Sequence, residues 1–279
     1  MKNILLILLI FSAKIVHSQT IKQSFDFANQ LFEKKDYSGA SITYRRVIYF
    51  DKTDEFRKEC YKNIADCLFE TQQFDEAADY YELAFFQQKS DSTKAEVLFR
   101  KLACFLVLNN FEYAEVELLN LPNNLTIEQG RRKVFYGAIL NFSTEKYDLA
   151  KEQFLSLLDK NDIETQKKVE ELFIKNEKIN KLSPKKAKIM SMILPGLGQF
   201  YGGDIKNGTN SILLTAGIAT WGVLAAIKSA SPFDALITMV PWFQRYYTGG
   251  YKKAEQIAIN QKKARRAKVY NEILDEVAK

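Results

Sequence analysis

An alanine followed twelve residues later by a second alanine recurs through the first half of the chain, and no other feature restricts the fold as much. The pairs are Ala28 and Ala40, Ala65 and Ala77, and Ala138 and Ala150, in FANQLFEKKDYSGASITYRRV, IADCLFETQQFDEAADYYELA and GAILNFSTEKYDLAKEQFLSL. Four residues beyond each second alanine stands an aromatic, Tyr44, Tyr81 or Phe154, and three further on Val47, Ala84 or Leu157. A fourth copy, LACFLVLNNFEYAEVELLNL, carries Ala103 and Ala114 one residue closer together, which predicts a shortened turn. The second alanines step by 37, 37 and 36 residues. Such a period, with a small residue on each of two helices, predicts stacked helical hairpins. Two helices approach closely only where one presents a small side chain, and the aromatic then fills the groove between successive hairpins.

Between residues 21 and 162 there is a single proline, Pro122, and the apolar residues follow a helical period, so this half is expected to be helical almost throughout. KKDYSG, TQQFDE and STEKYD supply polar turns with an aromatic that staples the second helix. By its small-residue positions and aromatics this half resembles the tetratricopeptide repeats, in four copies over residues 19–162, although the family's Trp and first Gly are absent. The resemblance implies an all-α array whose concave groove holds a protein partner. The next segment, 163–183, has Val169, Leu172, Phe173 and Ile179 at helical spacing and is expected to cap the array before SPKKAK ends it near Ser183.

There the composition changes. Residues 19–183 carry 24 Lys and Arg against 28 Asp and Glu, a balance of −4, whereas residues 184–279 carry 14 against 6, a balance of +8. Residues 189–203 and 207–227 contain no charge. The second run, 21 residues long, is enough to cross a hydrocarbon core of about 30 Å, and Gly208, Ser211, Thr215 and Ala219 would let a neighbouring helix come close. A third run, ALITMVPWF, is short and reads as interfacial or re-entrant, with Trp242, Phe243, Tyr246 and Tyr247 at headgroup level. The expected organisation is a hydrophobic, glycine-rich helical membrane module over 184–250 and a basic amphipathic tail over 251–279.

The module opens on MSMILPGLGQFYGGDIKNG. A phosphate loop needs Lys and Ser or Thr after its last glycine, and a dinucleotide fingerprint needs one residue fewer between Gly198 and Gly202; neither pattern is met. The stretch instead reads as a helix break at Pro195, where Gly196, Gly198, Gly202 and Gly208 let helices touch while Gln199 and Tyr201 bond backbone freed at the break. Asp204 and Lys206 mark a polar turn between two arms. Pro195, Gly196, Gly198, Gln199, Tyr201, Gly202 and Gly208 resemble the Pro-Gly-x-Gly-Gln-x-Tyr motif of small bacterial membrane modules that follow tetratricopeptide repeats in Gram-negative envelope proteins. That resemblance implies a topology and no chemistry.

The tail carries Lys252, Lys253, Lys262, Lys263, Arg265, Arg266 and Lys268. Beside a membrane such a helix meets phospholipid headgroups or obeys the positive-inside rule, and without interleaved stacking aromatics it does not point to nucleic acid. The charge pattern favours an odd number of crossings, with the tail inside; an even hairpin would break the rule at both ends.

MKNILLILLIFSAKIVHSQT has the layout of a secretory signal peptide over residues 1–18, and its removal takes away His17, the only histidine. Cys60, Cys67 and Cys104 are too scattered for a disulfide framework and read as buried small hydrophobes. No catalytic, cofactor or metal site, and no small-molecule substrate, is expected. The expectation is a non-enzymatic scaffold in a Gram-negative envelope, with periplasmic repeats binding a protein partner and a module anchored in membrane lipid, the inner membrane favoured. The alternative is an accessory subunit of a transport, secretion or insertion complex whose module is the active part.

Overall fold

A computed structural model describes residues 20–228 and 231–278, apart from the side chains of 232, 235 and 236. The expected signal peptide and His17 lie outside the described residues. The chain is all-α, 82% helical, with no strand among the described residues. Packing divides it into two compact units that meet at Gln153 and Phe154, so the division in packing precedes the change in composition at Ser183.

The first unit holds α1 (Ile21–Glu33), α2 (Tyr37–Phe50), α3 (Arg57–Glu70), α4 (Phe74–Phe86), α5 (Asp91–Val107), α6 (Phe111–Leu119), α7 (Ile127–Ser143) and most of α8 (Tyr147–Leu157). From α1 to α7 each helix packs on the next. The hairpin turns share one geometry. Lys35, Gln72, Asn109 and Glu145 take left-handed φ values of 62°, 61°, 56° and 64°. Each donates its N–H to the carbonyl three residues back, of Phe32, Phe69, Leu106 and Phe142. The next residue in each turn, Asp36, Gln73, Asn110 or Lys146, reaches the carbonyl five residues back. This pair of bonds satisfies the last carbonyls of the helix without a glycine, at about 1 kcal/mol of backbone strain per turn. An aromatic pair closes three of the turns edge-on: Phe32 with Tyr37, Phe69 with Phe74 and Phe142 with Tyr147.

The common turn fixes the register. Seven residues before the left-handed residue stand Ala28, Ala65, Leu102 and Ala138, and five after it Ala40, Ala77, Ala114 and Ala150, all at most 1% exposed. The equivalent in the third hairpin is therefore Leu102, not Ala103, which is only partly buried. The expected shortened turn does not occur, because the small side chain of Ala114 alone leaves room for a leucine opposite. Tyr44 and Tyr81 are buried, and their hydroxyls donate to Asn29 Oδ1 and Asp66 Oδ1, each at 2.6 Å. Cys60, Cys67 and Cys104 are buried free thiols.

The second unit begins with Phe154, fully buried and 6.4 Å in ring centroids from Phe173 of α9 (Ile163–Asn180). Then come α10 (Pro184–Ile193), α11 (Leu197–Tyr201), α12 (Ile205–Lys228) and α13 (Pro232–Val277). Ser183 caps α10 by accepting from the Lys186 N–H, and Pro184 occupies the first turn, where its missing N–H costs nothing. Where the sequence suggested a module ending at 250 and a separate tail from 251, α13 is one helix of 46 residues running through Pro241, Gly249 and Gly250. The run ALITMVPWF is its early turns and not a re-entrant segment. Packing overrides the local breakers, since α9, α10, α11 and α12 all lie against α13. Its later half buries Ala254, Ile257, Ala258, Val269 and Ile273. α9, expected to cap the hairpin array, packs along this helix.

Candidate functional site

The residues of the Pro-Gly-x-Gly-Gln-x-Tyr stretch meet where α10, α11, α12 and α13 converge. α10 stops at Leu194, whose extended φ and ψ of −135° and 110° turn the chain before Pro195. Gly196 follows at φ 96°, a left-handed conformation in which any Cβ would lie 2.5 Å from the Gly208 carbonyl oxygen. Gly198 is the tightest point: a Cβ there would stand 1.8 Å from the Ala187 carbonyl oxygen, so α11 crosses α10 backbone to backbone. Gly208 and Gly202 make room for the Phe200 ring and for Ile257.

A buried polar chain locks this crossing. The Gly198 N–H donates to Ser191 Oγ at 2.9 Å, the Ser191 hydroxyl donates to Gln199 Oε1 at 2.7 Å, and Gln199 Nε2 donates to the Gly250 carbonyl of α13 at 2.9 Å. Ser191 and Gln199 are each 1% exposed. Tyr201 works at the other end: its hydroxyl donates to the Lys181 carbonyl at 3.1 Å and accepts from the Ser183 N–H at 3.2 Å. Gln199 and Tyr201, expected to bond backbone freed at the Pro195 break, do not do so and tie distant segments instead. At the break the Leu197 N–H donates to the Leu194 carbonyl, and the Tyr247 hydroxyl of α13 donates to the Met192 carbonyl at 2.6 Å. Asp204 caps α12 through the backbone and amide N–H groups of Asn207, which hold its carboxyl below the usual carboxylate range, with Lys253 and Lys206 adding to the effect.

α12 and the first part of α13 run antiparallel. A Cβ on Gly222 would meet Met239, and one on Gly250 would meet Ser211 Oγ, which fixes a single register. α12 is long and apolar enough to cross a membrane. Its outer face exposes Leu213, Trp221, Val223 and Ile227, and the facing part of α13 exposes Phe233, Ile237, Val240 and Trp242.

Of the tail residues, Lys252, Lys253, Lys263, Arg265 and Lys268 are exposed, while Lys262 and Arg266 are partly buried. Arg266 donates to Asn180 Oδ1 at 2.5 Å, and Lys188 and Lys175 of neighbouring helices pair with Glu255 and Glu272 of α13 at 2.9 Å each. One face of the basic helix is therefore structural. Between α9 and the end of α13 lies an open groove of about 610 Å³ with mixed charges, Lys168, Lys175 and Lys178 facing Glu272 and Glu276.

Sequence reasoning missed Ser191, whose partners lie seven and eight residues ahead in an unrelated element. It also passed over Arg245, although a lone charge between Asp234 and Lys252 is a readable signal. Comparison with protein-family models, with curated proteins and with solved structures finds no match for the chain.

Proposed function

We propose that the chain is a non-enzymatic envelope scaffold, in which tetratricopeptide-like hairpins bind a protein partner and the α12–α13 hairpin seats the molecule in a membrane. The observation that carries it is the apolar outer face shared by α12 and early α13, set outside an interior that is already packed and hydrogen-bonded. Soluble monomers seldom leave so continuous an apolar surface in water. The uncharged run of α12, 21 residues, is roughly 31 Å long at about 1.5 Å per residue, matching a hydrocarbon core of about 30 Å.

The antiparallel register supports a hairpin that enters and leaves on one side, in place of the odd number of crossings that the charge pattern favoured. Lys228 and Asp234 sit near its tip, and the basic face of α13 then meets anionic headgroups at the opposite end of the hairpin. The register that pairs Gly222 with Met239 brings Trp242 level with the middle turns of α12, which supports a deeper position for it than the headgroup level expected. The N-terminal signal-like segment supports export, and its combination with the Pro-Gly-x-Gly-Gln-x-Tyr resemblance supports periplasmic repeats in a Gram-negative-type cell. That cleavage would remove the single histidine, and that the sequence shows no paired-carboxylate motif, supports the non-enzymatic reading.

Crosslinking in intact cells, followed by capture of the full chain and of a chain lacking residues 19–153, tests the partner-binding role. The reading expects partners that disappear with the repeats; identical partner lists would remove it.

A further inference from the structure

The hairpin contains an unexplained cavity. About 420 Å³ in volume, it lies between α12 and α13 beside Gln199. Along α12 it is lined by Asn207, Ser211 and Thr215, one helical turn apart, and along α13 by Arg245, Gly249 and Lys253 at the same spacing. Space is open beside Gly249, where no atom lies within 4 Å of the Cβ position.

Its wall is polar without internal cause. Thr215 is 4% exposed, and its hydroxyl, like that of Ser211, is buried with no hydrogen-bond partner. Elsewhere in the hairpin, Thr209 and Thr238 satisfy their hydroxyls on the carbonyl four residues back. A buried hydroxyl left unpaired is costly, so these two are placed for something the chain does not itself supply. Arg245 is the only charged side chain between Asp234 and Lys252. Among the described residues neither Arg245 nor Lys253 has a carboxylate within salt-bridge distance. A charge within an otherwise apolar arm marks a ligand site more often than a structural one.

Thr215 also lines a second cavity, about 340 Å³, that is almost wholly apolar and bounded by Pro195, Ile212, Ala219 and Phe243. A polar, cationic cavity and an apolar one thus have Thr215 in common in their walls. We propose that this pair of cavities binds an anionic amphiphile, its phosphate-bearing headgroup held by Arg245, Lys253 and the Ser211 and Thr215 hydroxyls, and its acyl chain along the apolar groove. The cavity runs from Asn207 and Lys253, at the start of the uncharged run, to Thr215 and Arg245, near its midpoint, so a headgroup entering beside Lys253 is held inside the hairpin, where phosphate oxygens accept from all four groups. The inference rests on the reading of the hairpin as membrane-seated.

The full chain in mild detergent is titrated with short-chain phosphatidylglycerol, phosphatidylcholine of the same chain length, and inorganic phosphate. Bound ligand is read by native mass spectrometry. The expected result is one saturable phosphatidylglycerol per chain, weakened about tenfold (about 1.4 kcal/mol) by Arg245→Gln and by Gly249→Leu, which adds bulk to the cavity wall from a Cβ position with no atom within 4 Å. Lys22→Gln in the first unit, with the same change of charge, leaves it unaltered. Thr215→Val weakens binding while raising the melting temperature of the lipid-free chain, an outcome a merely structural threonine would not give. Equal binding by wild type, Arg245→Gln and Gly249→Leu overturns the site. Competition by inorganic phosphate as strong as by the lipid overturns the amphiphile and assigns the polar cavity to free phosphate. Flotation of the same variants on neutral vesicles reads the membrane seat separately: variants that float but do not bind have lost the site alone, whereas a wild type that binds but does not float refutes the seat and leaves the site standing.

Discussion

Replacing Gly198 by alanine tests the junction at its narrowest point. The new Cβ would stand 1.8 Å from the Ala187 carbonyl oxygen and 2.6 Å from Ser191 Oγ. Real Cβ contacts begin near 3.0 Å, so α11 must withdraw from α10 by about 1.2 Å, the difference between 3.0 and 1.8. That movement stretches the 2.9 Å bond from the Gly198 N–H to Ser191 Oγ and, through it, the 2.7 Å bond to Gln199. Overpacking costs about 1–3 kcal/mol and a stranded buried polar group about 1–3 kcal/mol more, together about 2–6 kcal/mol. For a unit of this size the middle of that range lowers the melting temperature by roughly 15 °C. Both tryptophans, Trp221 and Trp242, lie in the second unit, so tryptophan emission of the full chain in micelles follows this unit alone. Gly217→Ala is the control: nothing lies within 4 Å of its Cβ position, and better helix propensity should stabilise by up to about 1 kcal/mol. If the two substitutions shift the transition alike, the close crossing is not what holds the junction.

Gln72→Gly, relieving a φ of 61°, should stabilise the first unit by about 0.5–1 kcal/mol in denaturant titrations, and a loss would contradict the shared turn geometry. Burial pushes the Asp51 carboxyl up, but the Phe56 N–H and the hydroxyl and N–H of Thr53 outweigh it and hold it below the usual range. A lowered folded-state pKa gives stability that is full above the unfolded value of about 3.9 and is lost as pH falls through the folded value. Asp51→Asn should therefore cost about 1–2 kcal/mol at pH 7, with the difference from wild type shrinking in urea titrations below about pH 4. Burial pushes the Cys60, Cys67 and Cys104 thiols up to about 12, so at pH 8 a disulfide reagent should label the native chain far more slowly than the unfolded one; fast native labelling would contradict the buried packing.

The sequence made some of this legible because it is written locally. Paired alanines report close helix contacts within one hairpin, and Ser183-Pro184 reports a helix start within two residues. The third hairpin misled because Ala103 neighbours the true position, and only the left-handed Asn109 shows that Leu102 takes it. Gln199 is readable as a side chain that bonds backbone, but its partner is not the Pro195 break: Gly250 is 51 residues away, and no local pattern names a carbonyl at that distance. The unbroken α13 was hidden by Pro241, Gly249 and Gly250, which break isolated helices and are overruled here by four packed neighbours. Among the cavity residues, the lone Arg245 was readable, whereas the unpaired state of Thr215 exists only in three dimensions.

The central claim is that the α12–α13 hairpin lies within a bilayer, and its own tryptophans can test it. Both are outward-facing, Trp221 64% and Trp242 50% exposed, and Trp221 stands four residues from the midpoint of the uncharged run 207–227, about 6 Å along the helix. The full chain reconstituted into vesicles is compared with lipids brominated deep in the acyl chain and with aqueous iodide as quenchers. The account predicts strong quenching of both tryptophans by the brominated lipids and little by iodide; strong iodide quenching with emission untouched by the brominated lipids would contradict it.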